Sequence, residues 1–154
     1  MCLEANVKIK RNFKRRNKNY PSLICYKIYR VCHDKMYSHG MPDWDYPIQP
    51  GRIVSDRTGN SVIGSDVTDF YYNKNTIDIY LGIHVYLNLK HCIERYNTYL
   101  YVKNKGIKNP YDIVIVPVYC ELKNLIAIDK EENYAVFTEV FLDKENYQRA
   151  LEIE

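Results

Sequence analysis

Seven cations crowd the first twenty residues: Lys8, Lys10, Arg11, Lys14, Arg15, Arg16 and Lys18, against one acid, Glu4. Lysines and arginines that neutralise phosphates release counterions, which gives salt-sensitive, sequence-independent contact with nucleic acid. A solvated tail has the same composition. The stretch holds few apolar residues and stops at Tyr20-Pro21, so residues 1–20 read as a basic, flexible or partly ordered arm rather than as core. The whole chain carries a formal +3, which leaves residues 21–154 net acidic. Trp44, inside Asp43-Trp44-Asp45, is the second candidate for partner binding, because Trp, Tyr and Arg are the usual anchors of interfaces.

The histidines and cysteines are the next groups able to do chemistry. A zinc site needs three or four converging ligands. His84, His91 and Cys92 are close in sequence, but neighbours on a helix point about 100° apart, so no metal site is expected. Five cysteines (Cys2, Cys25, Cys32, Cys92, Cys120) without a CxxC pair read as reduced thiols of a cytosolic protein. Cys25, Cys32 and Cys120 suit small apolar positions in strands. No GxSxG elbow occurs, and the scattered glycines form neither a Walker A loop nor a dinucleotide fingerprint. ATPase, kinase and dehydrogenase activities are disfavoured accordingly.

One constellation spreads over strands: Arg30, then Ser55 at the end of Gly51-Arg52-Ile53-Val54-Ser55, then Glu139 in Phe137-Thr138-Glu139-Val140. An early-strand arginine can hold a dinucleotide phosphate, and a late-strand glutamate can stabilise an oxocarbenium-like ribose. The order Arg, Ser, Glu resembles the ADP-ribosyltransferases. That resemblance implies NAD as co-substrate and one cleft shared by Arg30, Ser55, His84 and Glu139. The Ser-Thr-Ser and Glu-x-Glu signatures of that family are absent, and Phe137 stands where the first glutamate of Glu-x-Glu would be. The alternative is that Arg30 and Glu139 are exposed strand residues, at most a cross-strand ion pair. A second resemblance covers residues 77–147. Gly82-Ile83-His84 before a short helix, the Ile113–Glu121 strand and a closing strand look like a layout of small uncharacterised phage and prophage proteins, which carry a Gly-aromatic-His triplet there. It implies a gene of phage or mobile-element origin, with His84 as the residue to watch.

These residues need elements to position them. Ser22–Cys32 alternates as a strand. Residues 33–60, punctuated by Gly40, Pro42, Pro47, Pro50, Gly51 and Gly59, read as a long ordered loop with one short strand near Arg52–Ser55, pinned by Trp44. Residues 61–75 fit a short helix or a turn. Thr76–Leu87 favours β structure, interrupted at Gly82. Asn88 is a good cap for a helix over 89–97, and a strand is expected at Tyr99–Lys103. Asp112–Leu122 is β-branched throughout, with Pro117 marking a break or an edge. Asn124–Asp129 extends or pairs with it, Lys130–Asn133 turns, Tyr134–Leu142 is the next strand, and Asp143 caps a helix over 144–152.

With 154 residues and 46% hydrophobic content the chain can bury a sizeable core without disulfides. Its 16 tyrosines outnumber 4 phenylalanines and 1 tryptophan. Tyrosine suits half-buried strands and binding surfaces alike. No stretch approaches the ~20 apolar residues of a membrane span, and no secretory signal is visible. The expected fold is α+β: a single domain over 21–154 with a mostly antiparallel central sheet of five to seven strands, two short helices and a long ordered loop. The expected function is non-enzymatic binding, without cofactor, to a host protein or protein–nucleic acid complex in the host cytosol. The alternatives are an ADP-ribosyltransferase-like or other nucleotide-handling enzyme using NAD, and a virion structural component.

Overall fold

The computed structural model describes residues 3–38, 47–54, 76–79, 83–104 and 112–152. In chain order these form β1 (Leu3–Asn6), α1 (Val7–Arg16), β2 (Ser22–Cys32), β3 (Lys35–Ser38), β4 (Gly51–Val54), β5 (Thr76–Ile79) and β6 (Ile83–Tyr86). Then come α2 (Leu89–Asn104), β7 (Asp112–Glu121), a 3-10 turn (Leu122–Asn124), β8 (Leu125–Ile128), β9 (Tyr134–Phe137), β10 (Glu139–Leu142) and α3 (Lys144–Leu151). The fold is α+β. The main sheet runs β4-β10-β7-β2-β6-β9-β8, with β3 also on β2, and its pairings are antiparallel; β1 and β5 make a separate two-stranded ladder.

The long central pair β2–β7 holds the sheet in register from Ser22 opposite Glu121 to Val31 opposite Asp112. One face carries Cys25, Tyr29, Val114, Val116, Val118, Cys120, Val140 and Leu142, all buried in one core with Phe13 of α1 and Ala150 of α3. The opposite face carries Ile28, Tyr86 and Ile113, which pack with Cys92 of α2 in a smaller core rimmed by Tyr26, Tyr96, Tyr99 and Tyr134. Several of the tyrosines therefore sit with their rings packed against this core, half-buried at its rim.

Several expectations are corrected. Residues 7–16 of the basic arm are a helix docked on β8, with Phe13 inside the core. Ile9 and Phe13, four residues apart, share the inward side of α1; the surrounding lysines and arginines hide this short apolar pair. A hairpin lies where loop was expected: His33 and Asp34 both take positive φ (52° and 62°), which lets two residues join β2 to β3. Tyr99–Lys103 is the second half of α2, not a strand. Asn88 caps that helix as expected, its side-chain oxygen accepting from Lys90 N at 2.8 Å.

The expected single strand Tyr134–Leu142 is two strands broken at Thr138, whose N–H donates to the Asn124 carbonyl. β9 pairs with β6 and β8, whereas β10 pairs with β4 and β7. The sheet must therefore curl until its two halves meet across one residue. Pro117 is tolerated in a central strand because β10 ends at Leu142, so that β7 from Pro117 towards Asp112 keeps β2 as its strand partner among the described residues. Asp143 caps α3 by accepting from Asn146 N at 2.6 Å.

Candidate nucleic-acid interface

Helix α1 spans ten residues, too short to be stable alone. Its first turn includes Lys8 and Lys10, which oppose the positive N-terminal end of the helix dipole. Docking of Ile9 and Phe13 on the core supplies what the local sequence lacks. The C-terminal end is better matched: Lys14, Arg15 and Arg16 lie in the last turn, and Asn17 closes it by donating its backbone N–H and side-chain amide to the Phe13 carbonyl. Helix formation turns a cationic sequence into a cationic surface. Lys8, Arg11, Arg15, Arg16 and Lys18 are exposed, and Lys10 and Lys14 are half-buried. Burial, with a contribution from nearby Lys14, lowers the pKa of Lys10 from its ordinary value.

A groove of about 400 Å³ runs between α1 and the β8–β9 turn, lined by Ile9, Asn12, Arg15, Arg16, Lys130 and Glu132. The turn is rigidly specified. The Asp129 carboxylate accepts from Asn133 N at 2.7 Å and from Tyr134 N at 3.0 Å, and Glu132 takes a positive φ of 59°. Glu132 forms an ion pair with Arg16, tying the helix end to the turn. Arg15 and Lys130 flank the groove without a partner among the described residues. Lys130 was not a candidate from sequence, since a lysine in a polar turn carries no signal until α1 is known to lie beside it.

The enzyme constellation is dispersed. Arg30 is 6% exposed in β2, donates from Nε to the Ser38 carbonyl at 2.8 Å and sits opposite Ile113 of β7. The register of Phe141 against Tyr119 puts Glu139 level with Glu121, at the other end of β7. Eight strand residues separate the two levels, or ~26 Å at ~3.3 Å per residue. Arg30 and Glu139 thus share no cleft, and the partner of Glu139 is Arg52, at 2.5 Å. His84 is in β6 opposite Val136, and its carbonyl accepts from Lys27 Nζ at 2.7 Å. Ser55 and Trp44 lie outside the described residues.

His91 and Cys92 diverge: His91 is beside Glu94 and Tyr134, whereas Cys92 is fully buried. Among the described residues no group of three or more His, Cys, Asp or Glu converges as a metal site, and Cys25, Cys32, Cys92 and Cys120 are free thiols. Burial, opposed by the nearby Lys27, pushes Cys92 up to about 12. The hydrogen bond with Cys25, with burial, pushes Cys120 higher still. Both are poor nucleophiles. Lys27 is the group that sequence reasoning passed over: burial lowers its ammonium to about 8, while Cys120 and Cys92 act in the opposite sense. Its Nζ lies 5.5 Å from the centre of the Tyr29 ring, whose hydroxyl is buried with no hydrogen-bond partner among the described residues.

Compared with protein-family models, curated proteins and solved structures, the chain matches none. No described helix is long and apolar enough to cross a membrane.

Proposed function

We propose that this is a non-enzymatic binding protein of phage or mobile-element type that engages a host protein–nucleic acid complex, with α1 contacting the nucleic-acid backbone. The observation that carries the reading is the exposure of Lys8, Arg11 and Arg15 along a docked helix and of Lys18 just beyond its end, with Lys130 sharing the groove that Arg15 and Arg16 line. A helix fixed to a core presents its cations in one orientation, and that lowers the ordering cost of binding compared with a free tail. The dispersal of Arg30 and Glu139 favours binding over ADP-ribose transfer.

Fluorescence anisotropy with labelled RNA and DNA 20-mers, titrated across salt, tests this. Binding should weaken steeply with salt. The triple variant Arg11→Ala/Arg15→Ala/Lys130→Ala should reduce the log–log slope by roughly 2–3, one phosphate contact per cation. An unchanged slope in that variant, or no binding at low salt, would refute the role of α1.

A further inference from the structure

Among the described residues, no helix lies over half of one sheet face. Cross-strand register sets Arg52, Phe141, Tyr119 and Ile24 side by side on β4, β10, β7 and β2. Directly paired residues share a face, and at ~4.8 Å between strands the row is ~14 Å long. Phe141 is 49% exposed, Tyr119 39% and Ile24 57%. On one side of the row the neighbouring outward positions are Ser22, Glu121 and Glu139, with exposed Val54 opposite Glu139 on β4. Phe141 and Tyr119 are the exposed aromatic pair at the middle of the row.

We propose that this row is a stacking platform for unpaired bases, so that the nucleic acid taken by the protein is single-stranded. The inference rests on the reading of α1 as a backbone-binding helix and names its ligand class. Aromatic side chains on adjacent antiparallel strands stack successive bases without regard to sequence, and an arginine beside them adds a planar cation. Arg52 is that arginine. The acids at the margin do not leave the patch negative, because Glu139 is paired with Arg52 and Glu121 with Lys123 at 3.0 Å. The row is also continuous with α1. The chain leaves Arg16 at the helix end, passes exposed Lys18 and Tyr20, and is held, three residues before Ile24, at Pro21, whose carbonyl accepts from Leu122 N at 2.8 Å. Lys18, Tyr20 and Lys123 thus mark a route around the sheet end from the cationic helix to the aromatic row.

The test compares a single-stranded 20-mer with the duplex of the same sequence, at fixed salt, for the wild type and for Tyr119→Leu/Phe141→Leu. The leucines keep the apolar area and remove the π-faces. The wild type should prefer the single strand, and the variant should lose about ten-fold or more on the single strand while its salt slope is unchanged. In Phe141→Trp, added oligothymidylate should quench the new tryptophan emission. Equal wild-type affinity for strand and duplex, or a preference that survives the leucine variant, would overturn the platform while leaving α1's role standing. No binding to either nucleic acid would overturn both. Sedimentation showing a wild-type dimer that Phe141→Ser dissociates, with single-strand affinity unchanged, would assign the row to a second copy of the chain instead.

Discussion

Phe137 and Phe141 are four residues apart, yet one is fully buried and the other half exposed. They represent the two faces of the sheet. The first face is closed by α1 and α3 and holds the main core, in which nearly every strand contributes a β-branched, aromatic or cysteine side chain. Among the described residues the second is covered by α2 over the Ile28–Ile113–Tyr86 half, while Ile24, Tyr119 and Phe141 of the other half are exposed. Two adjacent regions with the same strands and similar side chains thus differ in what covers them. An apolar residue contributes to stability through the area that folding removes from water, so identical substitutions on the two faces should have unequal consequences.

The largest contrast is Phe137→Ala against Phe141→Ala. The first should cost about 3–5 kcal/mol through a cavity in the closed core, the second less than about 1 kcal/mol, both read from urea denaturation. Equal losses would break the distinction between the faces.

Lys27 sharpens it, since it sets a charged ammonium against the closed core beside Cys120 and Tyr29. Its folded-state pKa of about 8 lies below the ordinary 10.5. Below pH 8 both folded and unfolded states are protonated, and the full cost of enclosing the ammonium is present. Above pH 8 the unfolded state holds more protons, so this contribution improves as pH rises. Cys92 and Cys120, raised above their ordinary value of 9.0, act oppositely once unfolded thiols ionise, which confines the Lys27 effect to pH 8–9. Lys27→Met should therefore stabilise the protein at pH 7 by about 1–2 kcal/mol, after loss of its bond to the His84 carbonyl. The advantage should shrink by pH 9 when denaturation is repeated there.

Smaller effects follow at the margins. Asp143→Ala removes the cap that starts α3 over the closed face and should cost about 1 kcal/mol in thermal or urea unfolding. Glu139→Gln on the open face breaks an exposed pair with Arg52 and should change stability by less than about 0.5 kcal/mol. A loss above 2 kcal/mol there would mean that the open face is covered in solution.

Much of the architecture was legible locally. Ser22–Cys32 and Asp112–Glu121 are strands because β-branched and aromatic residues dominate them. Asn88 and Asp143 start helices because their side chains satisfy N–H groups that the helix leaves unpaired. Of the candidate interface, the cations of residues 8–18 were visible as a cluster; that Lys8, Arg11 and Arg15 share an exposed side of a docked helix was not. Lys130 entered only through the packing of α1 beside its turn. The enzyme constellation failed for the converse reason: residue types and their order say nothing of strand level, and β7 holds Arg30 and Glu139 at its opposite ends.

Thr138 marks the boundary between what sequence and tertiary structure each decide. Alternation along Tyr134–Leu142 specifies β structure, and as one strand it would set Phe137, Glu139 and Phe141 on one face. The break shifts the alternation, so that Phe137 joins Val140 and Leu142 in the core while Glu139 and Phe141 face outward. The nine residues by themselves determined that the segment is extended and apolar. Which phenylalanine is buried was decided by where the curled sheet sends β9 and β10, because burial depends on partners distant in sequence and not on the strand's own residues.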